Sequence, residues 1–71
     1  MKRTELLDLI AEAARDRGIA FEFVREGGNH EIWALAGRPI QIPRHRELRE
    51  PLAWNVLRST QKELGTRWWR R

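Results

Sequence analysis

Residues 19–43 read IAFEFVREGGNHEIWALAGRPIQIP, and apolar and polar side chains alternate through most of this stretch. Alternation with a period of two is typical of a strand that buries one face. Glycines interrupt the pattern at two places where tight turns can form, at residues 26–29 and at residues 37–38. The stretch therefore predicts three short strands, at residues 19–26, 30–36 and 39–43.

The second and third of these strands carry side chains that bear on both fold and function. Pro39 and Pro43 bound the third strand, and neither can donate a hydrogen bond to a neighbouring strand, which predicts an edge position. In the second strand, His30 and Trp33 should face opposite sides of the sheet because successive side chains alternate. Trp33 could pack in the core or offer a stacking surface to a base, and the residues alone leave both open.

Helical periodicity flanks the strands on both sides. Residues 4–17 place apolar side chains three and four apart, with Thr4 as the predicted N-cap and Gly18 as the left-handed stop. Residues 51–64 repeat the pattern, and Pro51 suits the first helical turn. The order α-β-β-β-α predicts an α+β domain in which both helices pack on one face of a three-stranded antiparallel sheet.

Length and composition limit the chain to one small domain. Its 71 residues bury a small core, so stability is expected to be marginal. We expect the domain to span residues 1–65, leaving residues 66–71, TRWWRR, as a basic tail that is disordered, docks on the domain or holds RNA. The chain has no cysteine, which excludes disulfides and thiolate metal sites. It has no run of 18 apolar residues and no signal-like N-terminus, so we expect a cytoplasmic protein without membrane spans.

Charge is unevenly distributed along the sequence. The formal net charge is +4, yet residues 1–37 hold five basic and seven acidic side chains, whereas residues 38–71 hold nine basic and three acidic ones. Most of the cations are arginines, whose planar forked donors suit phosphate groups. A basic half-domain indicates a polyanionic partner such as RNA, although a merely basic soluble protein would show the same bias.

The chemistry-bearing residues are few. His30 and His45 are the side chains best suited to general acid–base work. His30 and Glu31 are adjacent on a strand and point to opposite faces, so no convincing metal-ligand set emerges. Ser59, the only serine, lies in a helix with no nucleophile elbow around it. Imidazole with arginine and aromatic rings suits RNA, which carries its own nucleophile in the 2′-hydroxyl; this chemistry needs no metal and no cofactor.

Three stretches together resemble the HicA family of toxins, the small mRNA interferases of bacterial and archaeal toxin–antitoxin pairs. The opening MKRTELLDLIAEAA is similar to the family's Lys-x-x-(Glu/Asp)-Leu-Leu pattern. VREGGNHEIW resembles its core pattern of glycine, a polar residue, histidine and an aromatic three residues later. IPRHRELREPLAWNVLRSTQKELG resembles its closing block. Asn29 stands where the family has serine or threonine, and Leu52 stands near its helix-starting threonine.

The resemblance implies a fold like a double-stranded-RNA-binding domain, sequence-relaxed cleavage of mRNA, and neutralisation by a HicB-type antitoxin in a hetero-oligomer. The family's catalytic histidine corresponds to His30, and its closing-block histidine to His45. The residues predicted to contact RNA, from the resemblance and from charge, are Arg25, Gly28, Asn29, Arg38, Arg44, His45, Arg46 and Arg58.

Two other functions stay open from the sequence. A non-catalytic RNA-binding module of the same fold would use the same arginines and treat His30 as a contact residue. A basic protein that binds only an acidic partner would need the charge alone. Toxicity that a genomic neighbour relieves would favour the endoribonuclease.

Overall fold

A computed structural model describes residues 1–70. The elements in chain order are α1 (Arg3–Asp16), β1 (Phe21–Gly27), β2 (His30–Leu35), β3 (Arg38–Pro43), α2 (Glu50–Ser59) and a one-turn helix, α3 (Gln61–Leu64). The predicted α+β class and the α-β-β-β-α order are therefore confirmed. Among residues 1–70, none of the helices combines the length and the hydropathy that a membrane span requires.

The three strands form one antiparallel sheet in the order β1-β2-β3. β3 lies at an edge, as its prolines predict. Trp33 of β2 pairs with Ile40 of β3, and Glu31 pairs with Ile42. Directly paired residues point to the same side of a sheet, so these side chains share one face. His30 belongs to the opposite face.

Both main helices cover the face that carries Ile40 and Ile42. Leu6 and Ile10 of α1 are fully buried against it, and Val56 of α2 is 5% exposed. The buried apolar cluster comprises Leu6, Ile10, Ala13, Ala14, Leu35, Ile40, Ile42, Leu48, Ala53, Val56, Leu57 and Leu64. Burial of these apolar side chains is the main contribution to the stability of so short a chain.

Both turns of the sheet differ from the predicted ones: the first is shorter, and the second is displaced by one residue. β1 continues through Gly27, which leaves a two-residue turn at Gly28 and Asn29 with φ +65° at Gly28. The second turn is Ala36 and Gly37, with φ +51° and +84°, so the prediction of residues 37–38 is wrong by one position. Positive φ at both residues is typical of a type I′ hairpin turn, whose twist matches that of the strands.

The helix boundaries also differ in detail. Thr4 is not the N-cap: α1 begins at Arg3, and the Glu5 carboxylate accepts a 3.1 Å hydrogen bond from the backbone N–H of Lys2. Gly18 does follow the helix with φ +67°, as predicted. The predicted single helix over residues 51–64 is interrupted at Thr60, so α2 and α3 are separate.

The break at Thr60 has a local cause. The hydroxyls of Ser59 and Thr60 donate to the backbone carbonyls of Val56 and Leu57, at 2.6 and 2.7 Å. The backbone N–H of Thr60 also bonds to the Leu57 carbonyl, three residues earlier. Such bonds compete with the regular helical pattern and bend or end a helix.

The aromatic tail residues lie against the domain. Trp68 and Trp69 are half-buried and pack on the core, and the Trp68 Nε1–H donates a 2.7 Å hydrogen bond to Thr60 Oγ1. Trp69 meets Trp54 of α2 edge-to-face, with ring centroids 5.9 Å apart. Of the three alternatives for the tail, docking is the one that residues 66–70 display. Arg71 lies outside the described residues.

Candidate functional site

His30 lies at one end of the sheet, where β1 and β3 end and β2 begins. It is the first residue of β2, and its backbone lies opposite Gly27 of β1 and Pro43 of β3. Its side chain is partly exposed and points away from the core side. The imidazole is therefore accessible, while its backbone is held from both sides.

Arg44 connects the turn before His30 to the end of β3. Its backbone N–H donates to the Asn29 carbonyl at 3.1 Å, and its Nη1 donates to the Gly28 carbonyl at 3.3 Å. The guanidinium also lies 3.6 Å from the Glu26 carboxylate. Three of the residues predicted to contact RNA are thus brought together beside His30: Gly28, Asn29 and Arg44.

Arg25 reaches the His30 face because of a bulge in β1. Phe23 pairs with Trp33 on the core side, whereas Arg25 pairs with Ile32 on the other side, so the register shifts at the intervening Val24. A regular strand would have placed Phe23 and Arg25 on the same face. A Cβ built on Gly27 would lie 3.4 Å from Arg25 Nη1, so the guanidinium lies over the residue that pairs with His30.

A groove of about 370 Å³ opens beside His30, between β3 and the flank of α2. Its lining residues are His30, Pro39, Ile40, Gln41, Pro43, Leu52, Asn55, Val56 and Ser59. Arg58, predicted to contact RNA, lies at its margin, because Arg58 Nη2 donates to Asn55 Oδ1 at 2.5 Å. That bond occupies the Asn55 carbonyl and leaves its amide N–H groups as the available donors.

A second depression, of about 490 Å³, lies at the start of α1 and is here called the basic pocket. Its lining residues are Lys2, Arg3, Thr4, Arg44, Arg46 and Glu47. Arg46 therefore joins a different depression from His30, and Arg44 belongs to both neighbourhoods. His45 is exposed between these two arginines and lines neither depression.

A polar cluster beneath His30 fixes the start of α1 to the sheet. Arg3 pairs with Glu31, and Arg3 Nε donates to the Pro43 carbonyl at 2.8 Å. The Trp33 Nε1–H donates to Glu31 Oε1 at 3.0 Å. This indole bond, with the nearby Arg3 charge, lowers the pKa of the Glu31 carboxyl against the opposing effect of burial. Trp33 itself stacks on Phe21 at 4.7 Å, which is a packing role.

The structure does not bring Arg38 to this site. Arg38 lies at the other end of β3, where Nε and Nη2 bind the Glu63 carboxylate at 2.7 and 2.6 Å. This bidentate pair lowers the pKa of Glu63 and raises that of Arg38. Arg38 therefore ties β3 to α3, and its guanidinium is occupied away from His30.

Several groove and pocket residues were not anticipated from the sequence. Gln41, Leu52 and Asn55 line the His30 groove, and Lys2 lines the basic pocket. Gln41 lies on β3, whereas Leu52 and Asn55 lie on α2, and only the packing of α2 along β3 brings the three together. Lys2 lies in the half of the chain whose net charge is negative, so the charge pattern gave no sign of it.

Within residues 1–70, no three His, Asp or Glu side chains gather as a metal-binding group. Comparison of the chain with models of protein families, with characterised proteins and with solved structures gave no match.

Proposed function

We propose that this protein is an endoribonuclease toxin that cleaves mRNA in the cytoplasm and is neutralised by a HicB-type antitoxin protein. The observation that carries the proposal is the position of His30: a partly exposed imidazole on a doubly paired strand, in the lining of the groove, with Arg25 and Arg44 beside it. The sequence resemblance to the HicA family and the α-β-β-β-α order support the same reading. A likeness to double-stranded-RNA-binding domains is part of this proposal.

The reaction assigned to this arrangement is transesterification within RNA. The 2′-hydroxyl oxygen attacks the adjacent phosphorus while the bond from phosphorus to the 5′ oxygen breaks. The products are a 2′,3′-cyclic phosphate and a 5′-hydroxyl. His30 makes one of the two proton transfers, taking the proton of the 2′-hydroxyl or giving one to the leaving 5′ oxygen, and solvent water makes the other; the His30 contribution is about 10²–10⁴-fold. Arg25 and Arg44 stabilise the negative charge that develops on the phosphoryl oxygens.

The chemistry of the product ends tests this function. Purified protein should cut single-stranded RNA in the presence of a chelator and leave cyclic phosphate or 3′-phosphate ends. A substrate with one 2′-deoxy sugar should resist cleavage at that position only, which serves as an internal control. Products with 3′-hydroxyl ends, formed only with Mg²⁺, would place the protein among metal-dependent nucleases instead.

A second candidate function is RNA binding without cleavage. The observation that favours it is the location of His45, which lines neither depression and leaves His30 as one imidazole at the groove. Under this function the wild type binds RNA with strong salt dependence and releases no products, even over long incubation.

A further inference from the structure

The basic pocket at the start of α1 contains positive charges that are not paired with acidic side chains in the part of the chain that the structure describes. Within residues 1–70, the Lys2 ammonium and the Arg46 guanidinium form no ion pair. Glu47 is the one acidic residue that lines the pocket, and its carboxylate binds the Met1 amino group at 2.9 Å. The pocket therefore presents uncompensated positive charge to a ligand.

The pocket is continuous with the surroundings of His30. Arg44, which lines the pocket, bonds to the carbonyls of Gly28 and Asn29, the two residues before His30. Arg3, at its base, donates to the carbonyl of Pro43, the residue opposite His30 in β3. A chain that passes over His30 can therefore continue into the pocket.

We propose that the basic pocket binds a phosphate group of the RNA backbone, next to the phosphodiester on which His30 acts. This inference rests on the proposed function. Lys2 and Arg46 contact the phosphate oxygens directly, Arg44 spans the pocket and the His30 turn, and Thr4 offers a hydroxyl donor. Forked guanidinium donors and a compact ammonium are the groups that hold phosphate. The assignment gives the first residues of α1 a role in positioning the substrate.

The fold allows the two free cations to be removed without disturbing the backbone. Lys2 and Arg46 take part in the structure through backbone atoms: the Lys2 N–H bonds to Glu5, and the Arg46 carbonyl accepts from the Arg3 N–H at 2.9 Å. A Lys2→Gln/Arg46→Gln variant keeps both bonds. Arg15→Gln/Lys62→Gln is the matched control, because it removes two exposed positive charges that line neither depression.

Fluorescence anisotropy with a 2′-O-methyl RNA oligonucleotide, which cannot be cleaved, measures the effect on binding. The pocket variant should bind about tenfold more weakly, and its salt slope should fall by roughly 0.7 for the lost single-strand phosphate contact. The control variant should keep the wild-type slope. If the pocket variant and the control variant have the same salt slope, and both melt at the wild-type temperature, the inference is overturned.

Two further readouts separate this inference from the proposed function. Cleavage by the pocket variant should recover at saturating RNA, because His30 is intact. If wild type and the pocket variant bind and cleave RNA equally well, the ribonuclease function is retained and the pocket inference is overturned. Amide NMR shifts with inorganic phosphate, against chloride at equal ionic strength, test the source of the ligand. Saturable shifts at Thr4 and Arg46 in a protein that does not bind RNA would assign the pocket to a free phosphate compound and overturn the RNA assignment.

Discussion

The imidazole of His30 extends from a backbone that is paired on both sides, with Gly27 in β1 and Pro43 in β3. General acid–base catalysis depends on such fixed placement, since small displacements of a catalytic group reduce the rate strongly. His45 lies two residues beyond β3 in an irregular, exposed segment. The two histidines therefore differ in how firmly the fold positions them.

The two carboxylates with lowered pKa values predict the response of stability to acid. The bond from Trp33 lowers the pKa of Glu31, and the bond from Arg38 lowers that of Glu63. Their ion pairs stabilise the fold above the pKa of glutamate in the unfolded chain, about 4.3, and this stabilisation is lost as pH falls through the lower folded pKa. We expect Glu63→Gln to melt below wild type at pH 7 and to approach it near pH 3.

Glu26→Gln is the control for this measurement. Glu26 is largely exposed and lies 3.6 Å from Arg44, so its removal should change the melting temperature little at either pH. A Glu63→Gln protein whose difference from wild type is the same at pH 7 and pH 3 would show that the Arg38 pair does not stabilise the fold.

At the scale of elements, the β2–β3 hairpin contains a strained residue. Ala36 has φ +51° and is exposed, and an L-residue with a Cβ adopts this conformation at a cost of about 1 kcal/mol or more. Asparagine tolerates positive φ, and Asn-Gly is a favoured type I′ pair. We expect Ala36→Asn to raise the free energy of unfolding by about 0.5–1 kcal/mol in urea titrations. Ala36→Val should lower it, and a stabilising valine would contradict this turn geometry.

The docked tail predicts a second effect on stability. Trp68 is half-buried and donates to Thr60, which is fully buried. Trp68→Ala should therefore lower the free energy of unfolding by about 2 kcal/mol, whereas Trp54→Ala, at a site 40% exposed, should cost less. Deleting residues 66–71 should also destabilise the domain. A truncated protein that melts like wild type but binds RNA with a smaller salt slope would instead make the tail an RNA-binding arm.

The element order was predictable because each segment shows one clear period. The bulge at Val24 was not, since a regular strand over residues 21–27 would place Phe23 and Arg25 on one face, and the adjacent apolar Phe23 and Val24 do not by themselves show which residue is unpaired. The bulge is what carries Arg25 to the side of His30. The break at Thr60 had a visible signal in the adjacent Ser59 and Thr60, whose hydroxyls bond back to the helix. The position of Arg38 away from His30 was not predictable, because its pairing with Glu63 joins residues 25 apart in the sequence.

At the scale of the whole molecule, folding rearranges the charge that the sequence divides into two halves. Residues 1–37 are net negative by count, yet Lys2 and Arg3 join Arg44 and Arg46 around the basic pocket. Arg25 adds a further cation beside His30. The basic surface is thus assembled from both halves of the chain, and contacts between these halves create a site that a residue count could not locate.

Cleavage of RNA by purified His30→Ala, compared with wild type and His45→Ala, tests the central claim most directly. His30→Ala should cut at least 100-fold more slowly, while its melting temperature and its affinity for an uncleavable RNA stay near wild type. His45→Ala should keep cleavage within about tenfold of wild type, since only a general acid or base carries the larger factor. A folded His30→Ala protein that cleaves RNA at the wild-type rate would contradict the catalytic role of His30.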